Sequence, residues 1–179
     1  MYKKLNAIIK IIILVNLLTF LISTLKSQNF EIEKFTTQKG LSQNTVNCIL
    51  QDEKGFLWFG TEDGLNRFDG VKFTVFRNDP KNPNSISNSY ILSIYEDSSG
   101  IIWIGTINGL NEFDRVKEKF IHYFHDKKEP YSLSNNFISS IYEDKEGNLW
   151  IGTQRGLNKF DKKEKNSYII FMTLKTQIV

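Results

Sequence analysis

An all-β fold is predicted by two features of the chain. One motif of 18 residues occurs three times: D-E-K-G-F-L-W-F-G-T-E-D-G-L-N-R-F-D from Asp52, D-S-S-G-I-I-W-I-G-T-I-N-G-L-N-E-F-D from Asp97, and D-K-E-G-N-L-W-I-G-T-Q-R-G-L-N-K-F-D from Asp144. Its tryptophans, Trp58, Trp103 and Trp150, stand 45 and 47 residues apart, a period that signals a repeat architecture. The second feature is the content of each copy: four short apolar or alternating stretches separated by glycine turns. Four strands in about 45 residues make the unit of a propeller blade. The prediction is therefore a partial β-propeller of three four-stranded antiparallel blades, preceded by an N-terminal hydrophobic signal helix. A leucine-rich repeat is shorter and carries one strand, and no stretch after residue 27 has the 3.6 period of a helical solenoid.

The 179 residues suit one ordinary domain, and 40% hydrophobic with 13% aromatic residues can furnish a core. The net charge of +3 belongs to the leader. Residues 1–27 hold Lys3, Lys4, Lys10 and Lys26 and no acid, so the remainder has 19 bases against 20 acids and no basic face for nucleic acid. A basic start, the apolar run Ile11 to Ile22 and the polar S-T-L-K-S-Q form the layout of a secretory signal peptide. The run is short of the ~20 residues of a membrane span. Cleavage after Ser27 is expected, with an uncleaved anchor as the alternative. Either way the chain is exported, to the periplasm in an envelope-bounded bacterium.

The elements follow in order. Residues 28–45 supply an orphan outer strand, Phe30 to Phe35, and a lead-in loop. Blade 1 covers 46–85, blade 2 covers 86–132, and blade 3 covers 133–165 and is incomplete. Each blade opens with an apolar strand (V-N-C-I-L, I-L-S-I-Y, I-S-S-I-Y) and turns at D-x-x-G. There the aspartate can bond the backbone two residues on, and Gly55, Gly100 or Gly147 accepts positive φ. The second strand carries the tryptophan, with Gly60, Gly105 or Gly152 two residues later. The indole is expected between blades, and the glycine leaves room for a neighbouring backbone. The third strand is L-N-x-F-D, and the fourth is K-F-T-V-F or K-F-I-H-Y-F. Closure of a ring takes about 4–8 blades, so three leave both end faces bare.

The third copy departs from the pattern after Lys165. Joining the third base of each codon to the first two of the next, from Asn166 onward, permits F-I-H-Y-F-H-D-P-K-N-P-N-S. That string is the outer strand and loop found in the earlier copies. Residues 166–179 are accordingly expected to be an out-of-frame tail, produced by a one-base slip in the adenine-rich codons of Lys162–Asn166. Sequencing the locus tests this: further D-x-x-G-x-[LI]-W-x-G-T copies are expected in the alternative frame.

No nucleophile elbow, phosphate loop or metal-ligand cluster is present, so no catalytic, cofactor-binding or metal-binding residue is assigned, and the chain itself is not read as an enzyme. Asp69, Asp114 and Asp161 recur once per blade and read as turns, as Asn66, Asn111 and Asn158 read as scaffold. His122 and His125 are expected to face solvent on an outer strand. Cys48 is the single cysteine and stands where the other copies have Ser93 and Ser140, a small residue on a packed strand. Function in a propeller sits where blades differ. The ligand-facing candidates are Glu62 and Asp63, Ile107 and Asn108, and Gln154 and Arg155, the pair before each second glycine.

L-S-x-N-x-V-x-x-I-x-x-D-x-x-G-x-L-W-x-G-T-x-x-G-L-N-R-F-D resembles the two-component regulator propeller repeat, over Phe30 to about Lys165. A leader followed by an orphan strand resembles the start of Bacteroidetes hybrid two-component sensors. The resemblance implies a truncated periplasmic ligand-sensing propeller for carbohydrate. Its partners would be the remaining blades, the cytoplasmic kinase modules of a full-length protein and a glycan ligand. Nucleic acid is not among them, and the membrane is met only through the leader. No residue matches a kinase motif. Two other readings stand beside it: a fragment of an exported propeller enzyme acting on polysaccharide, and a self-assembling three-blade binding module.

Overall fold

The structure, a computed structural model, describes residues 2–24 and 32–170. It divides into two units, Met1–Lys34 and Phe35–Val179. The first contains helix α1 (Tyr2–Thr24), a run without Gly or Pro, so nothing interrupts its backbone ladder. No helix among the described residues is long and apolar enough to cross a membrane. The expected cleavage site at Ser27 lies outside the described residues.

The second unit is three four-stranded antiparallel sheets, each with its strands in chain order. Blade 1 is β1 (Val46–Gln51), β2 (Leu57–Thr61), β3 (Gly64–Phe68) and β4 (Phe73–Phe76). Blade 2 is β5 (Ile91–Glu96), β6 (Ile102–Thr106), β7 (Gly109–Asp114) and β8 (Lys119–Tyr123). Blade 3 is β9 (Ile138–Glu143), β10 (Leu149–Thr153), β11 (Gly156–Asp161) and β12 (Asn166–Ile170). The first strands lie innermost, β1 against β5 and β5 against β9. The D-x-x-G turns set the first hairpin of each sheet. Asp52 Oδ1 accepts from the backbone N–H of Lys54 (3.0 Å) and Phe56 (2.9 Å), and Gly55 closes the turn at φ +85°. Asp97 and Asp144 repeat the arrangement.

The core lies between blades. Trp58 is fully buried against blade 2, edge-on to Phe113 with ring centroids 5.4 Å apart. Trp103 meets Phe160 of blade 3 at the same distance. Each such side chain taken from water contributes about 1.5–3 kcal/mol. The glycine in register beside each tryptophan is a seat for the next blade. A Cβ on Gly60 would fall 2.7 Å from Ile91 Cγ2, and one on Gly105 would fall 2.7 Å from Ile138 Cγ2 and 2.8 Å from the Ile138 carbonyl. Opposite Gly60 in the ladder stands Cys48, whose thiol is pushed up to about 11 by burial, and Ser93 and Ser140 hold the same place beside Gly105 and Gly152.

Three expectations are corrected. Residues 32–36 form no strand, and Phe30 and Glu31 lie outside the described residues. A strand needs a ladder, and no described edge pairs with this segment. Its Phe35 instead stacks into Phe59, Phe68 and Phe73 of blade 1, at 6.1, 4.9 and 5.6 Å. Blade 3 is complete within the described residues, because N-S-Y-I-I supplies a fourth strand against β11; residues 171–179 lie outside the description. His122 and His125 are half-buried, bonded to the carbonyls of Ser85 (2.7 Å) and Leu133 (2.6 Å). The loops from Asn78 and Asp126 fold back over the outer strands and bring those carbonyls to the rings.

One detail of blade 3 differs from blade 2. Phe120 pairs with Phe113 and is buried among Phe76, Phe113 and Ile86. Ser167 holds the same register opposite Phe160, and beside it opens a cavity of about 280 Å³ lined by Tyr123, Leu133 and Phe160.

Candidate functional site

The six candidate residues occupy the β2–β3, β6–β7 and β10–β11 turns, at the same end of their sheets and all exposed. Beneath each pair lies a constant polar base. Thr61 Oγ1 donates to the Gly64 carbonyl (2.9 Å) and accepts from the Asp63 N–H (3.1 Å), while Ser42 Oγ contacts it at 2.8 Å. Fully buried Asn66 accepts from the Ser42 N–H (2.8 Å) and donates to the Ser42 hydroxyl and the Phe59 carbonyl. Thr106, Ser87 and Asn111 repeat this in blade 2, and Thr153, Ser134 and Asn158 in blade 3. The backbone under the variable pairs is therefore rigid.

The pairs themselves are unequal. Glu62 accepts from Gln43 (3.2 Å) and from the Tyr90 hydroxyl of blade 2 (3.1 Å), and its carboxylate holds that phenol above its ordinary range. Asp63 is paired with Arg77 at 3.1 Å. Asn108 meets Asn136 of blade 3 at 3.4 Å. Among the described residues the side chains of Gln154 and Arg155 have no such partner, and Ile107 is apolar. The arrangement suits reversible binding of a polar ligand to a preformed surface. Among the described residues no group of three metal-ligating side chains converges.

The opposite end of the sheets carries a charged clamp that the motif count did not reveal. Asp52 Oδ2 accepts from Trp58 Nε1 (2.8 Å) and from Arg115 of blade 2 (2.7 Å). Arg115 also grips Glu96, whose other oxygen accepts from the Glu53 N–H of blade 1 (2.8 Å). At the next junction Asp97 accepts from Trp103 Nε1 (2.9 Å) and Lys162 (3.1 Å). Lys162 holds Glu143, which accepts from the Ser98 N–H (2.7 Å) and hydroxyl (3.0 Å). Burial raises the carboxyls of Asp52 and Asp97, but the indole, backbone and cationic donors outweigh it and keep both below 3.8. Lys162 is lowered by burial and raised further by its two carboxylates, ending above 10.5. The signal in the sequence was the residue after L-N-x-F-D: Arg115 and Lys162, against Gly70 in the first copy.

Four-stranded sheets in series, joined through their innermost strands and a tryptophan–glycine seam, define a segment of β-propeller. Residues 40–63, 85–108 and 132–155, one stretch reaching into each blade, match the two component regulator propeller family. The chain is 51% identical over 73 residues to histidine kinase P4 of Formosa agariphila, covering 40% of this chain and 5% of that protein. It superposes on the extracellular domain of the hybrid two component system BT3049 of B. thetaiotaomicron with a TM-score of 0.72 at 32% identity, over 77% of this chain and 20% of that one. The extracellular domain of the one component system BT4673 from the same organism gives 0.57 at 34% identity, over 67% and 17%. The chain thus spans a fifth or less of the length of each of these relatives.

Proposed function

We propose that the chain is part of an exported, ligand-sensing propeller of a two-component signalling protein, with carbohydrate as the ligand class. The observation that carries the sensing role is the match of all three blades to the two component regulator propeller family, alongside relatives that are extracellular domains of signalling systems. The ligand surface is the end bearing Ile107, Gln154 and Arg155, where side chains vary over a rigid base. Amide and guanidinium groups there suit the hydroxyls of a sugar, and the apolar Ile107 suits its carbon face. In this reading the kinase modules reside elsewhere in a full-length protein, and the leader directs this part out of the cytoplasm.

A panel of oligosaccharides titrated against the full chain, followed by NMR shifts, tests the assignment. Saturable shifts centred on Ile107, Gln154 and Arg155 are expected. Saturable shifts centred elsewhere, or none across the panel, overturn the assignment of these loops to a glycan.

A further inference from the structure

The two junctions within the chain show what one blade requires of the next. Each trailing face offers an aspartate bonded to its tryptophan and a bare glycine. Each leading face answers with a branched aliphatic on the glycine (Ile91, Ile138), a glutamate at the end of its first strand (Glu96, Glu143) and a cation after its third (Arg115, Lys162). A second ion pair sits farther out. Arg67 meets Glu118 at 2.9 Å across the first junction, and Glu112 meets Lys165 at 2.7 Å across the second. The sign reverses, but the positions are the same.

Blade 3 presents this acceptor half without its counterpart. Asp144 accepts from Trp150 Nε1 (2.7 Å) and Asn148 (2.9 Å), donors that outweigh burial and hold it at about 2, and no cation reaches it among the described residues. Trp150 is half-buried where Trp58 and Trp103 are wholly buried, and Tyr142 is 60% exposed. The three atoms nearest to a Cβ on Gly152 all belong to serine side chains of its own blade. Lys159 stands at the outer position of Arg67 and Glu112.

The leading face of blade 1 does not match. It has Gln51 in place of the glutamate and Gly70 in place of the cation. Its third turn is two residues shorter than in blade 2, so it has no counterpart of Glu118. Phe35 already lies on Phe59, Phe68 and Phe73, the positions through which blade 2 receives Trp58 and Phe76.

We infer that the trailing face of blade 3 is a selective docking surface for a further blade of this repeat. That blade carries a branched aliphatic at the start of its first strand, glutamate at its end, Arg or Lys after its third strand, and an acid facing Lys159. A second copy of this chain is refused, because the leading face of its blade 1 lacks both charges and is covered by Phe35.

The test extends the full chain at its C-terminus with a copy of residues 78–126, which brings the counterparts of Ile91, Glu96, Arg115 and Glu118. A second extension carries in that copy the changes equivalent to Glu96→Gln and Arg115→Gly, the residues of blade 1, and both extensions carry the change equivalent to Trp103→Phe, so that the added blade brings no exposed indole of its own. Acrylamide quenching reads Trp150, the half-exposed indole, and sedimentation of the unextended chain reads self-association. Quenching is expected to fall at least twofold in the first extension and to stay near the starting value in the second, with the unextended chain monomeric. Equal protection by both extensions, protection by neither, or a ring of unextended copies each overturns the inference.

Discussion

Replacing Ser167 with phenylalanine should stabilise the protein, although most substitutions at buried positions do the opposite. Ser167 is 2% exposed and occupies the register of Phe120, which is buried against Phe113 at 5.0 Å and Phe76 at 5.7 Å. In blade 3 the corresponding residues Phe160, Tyr123 and Leu133 line a solvent-open pocket of about 280 Å³ whose rim includes His122, Glu129 and Lys165. A cavity of about 150 Å³ is enough to admit benzene, so the pocket has the volume for a phenyl ring. Burying the ring contributes about 1.5–3 kcal/mol. Its new aromatic contacts add roughly 0.5–1.5 kcal/mol. The Ser167 hydroxyl loses its 3.3 Å bond to the Tyr131 carbonyl, about 1 kcal/mol. The Ser167 N–H keeps its 2.8 Å bond to the same carbonyl, as the Phe120 N–H keeps its bond to Asn84. The net gain is about 1–3 kcal/mol, a rise in Tm of roughly 2–12 °C for a domain of this size. Thermal melts of the wild type, S167F and S167A decide it. S167A, which only removes the hydroxyl, should melt slightly below wild type. If S167F folds with unchanged circular dichroism yet melts no higher than wild type, the cavity is not an unfilled phenylalanine seat and the register comparison behind it fails.

Three further outcomes are expected. Asn111→Ala strips the fully buried acceptor of the Ser87 N–H and the donor to the Ile104 carbonyl, costing about 1–3 kcal/mol for each group left unpaired, read as a lower urea midpoint with faster exchange of the Ser87 amide. Stability should fall in acid: Asp52, Asp97 and Asp144 have folded pKa values below 3.8, so the stability they contribute is present above 3.8 and is lost as pH falls through those folded values, to about 2 for Asp144, and a Tm that holds steady from pH 5 to pH 2 contradicts the clamp. Cys48, with its thiol at about 11, should react with Ellman's reagent at neutral pH only slowly while folded and promptly in denaturant.

The repeat made the fold legible. Period, glycine turns and alternating strands placed every strand of blades 1 and 2, because their cause is local: an Asx turn, a positive φ and a two-residue alternation of faces. The clamp was not legible from the shared motif because the partners of its aspartate and tryptophan sit outside the motif and vary. Gln51, Glu96 and Glu143 precede the motif, while Gly70, Arg115 and Lys162 follow it, and a partner 63 residues away along the chain leaves no periodic trace. The orphan strand failed for the opposite reason. Its residues favour extended backbone, yet strand formation needs a second edge, which propensity cannot report. At the candidate site the variable pairs were visible, but the contacts already engaging Glu62, Asp63 and Asn108 depend on loops 20 or so residues distant and emerge only in three dimensions.

Blades 2 and 3 carry both halves of the joint within a single repeat, the seat and its tenant. A stretch of DNA spanning such a blade is therefore a self-sufficient unit of inheritance: copied in tandem, it delivers a new module and the coupling that attaches it. Blade 1 is different. Inserted in mid-array it would leave an aspartate without its cation, so duplicating blade 2 or blade 3 carries the coupling along while duplicating blade 1 does not.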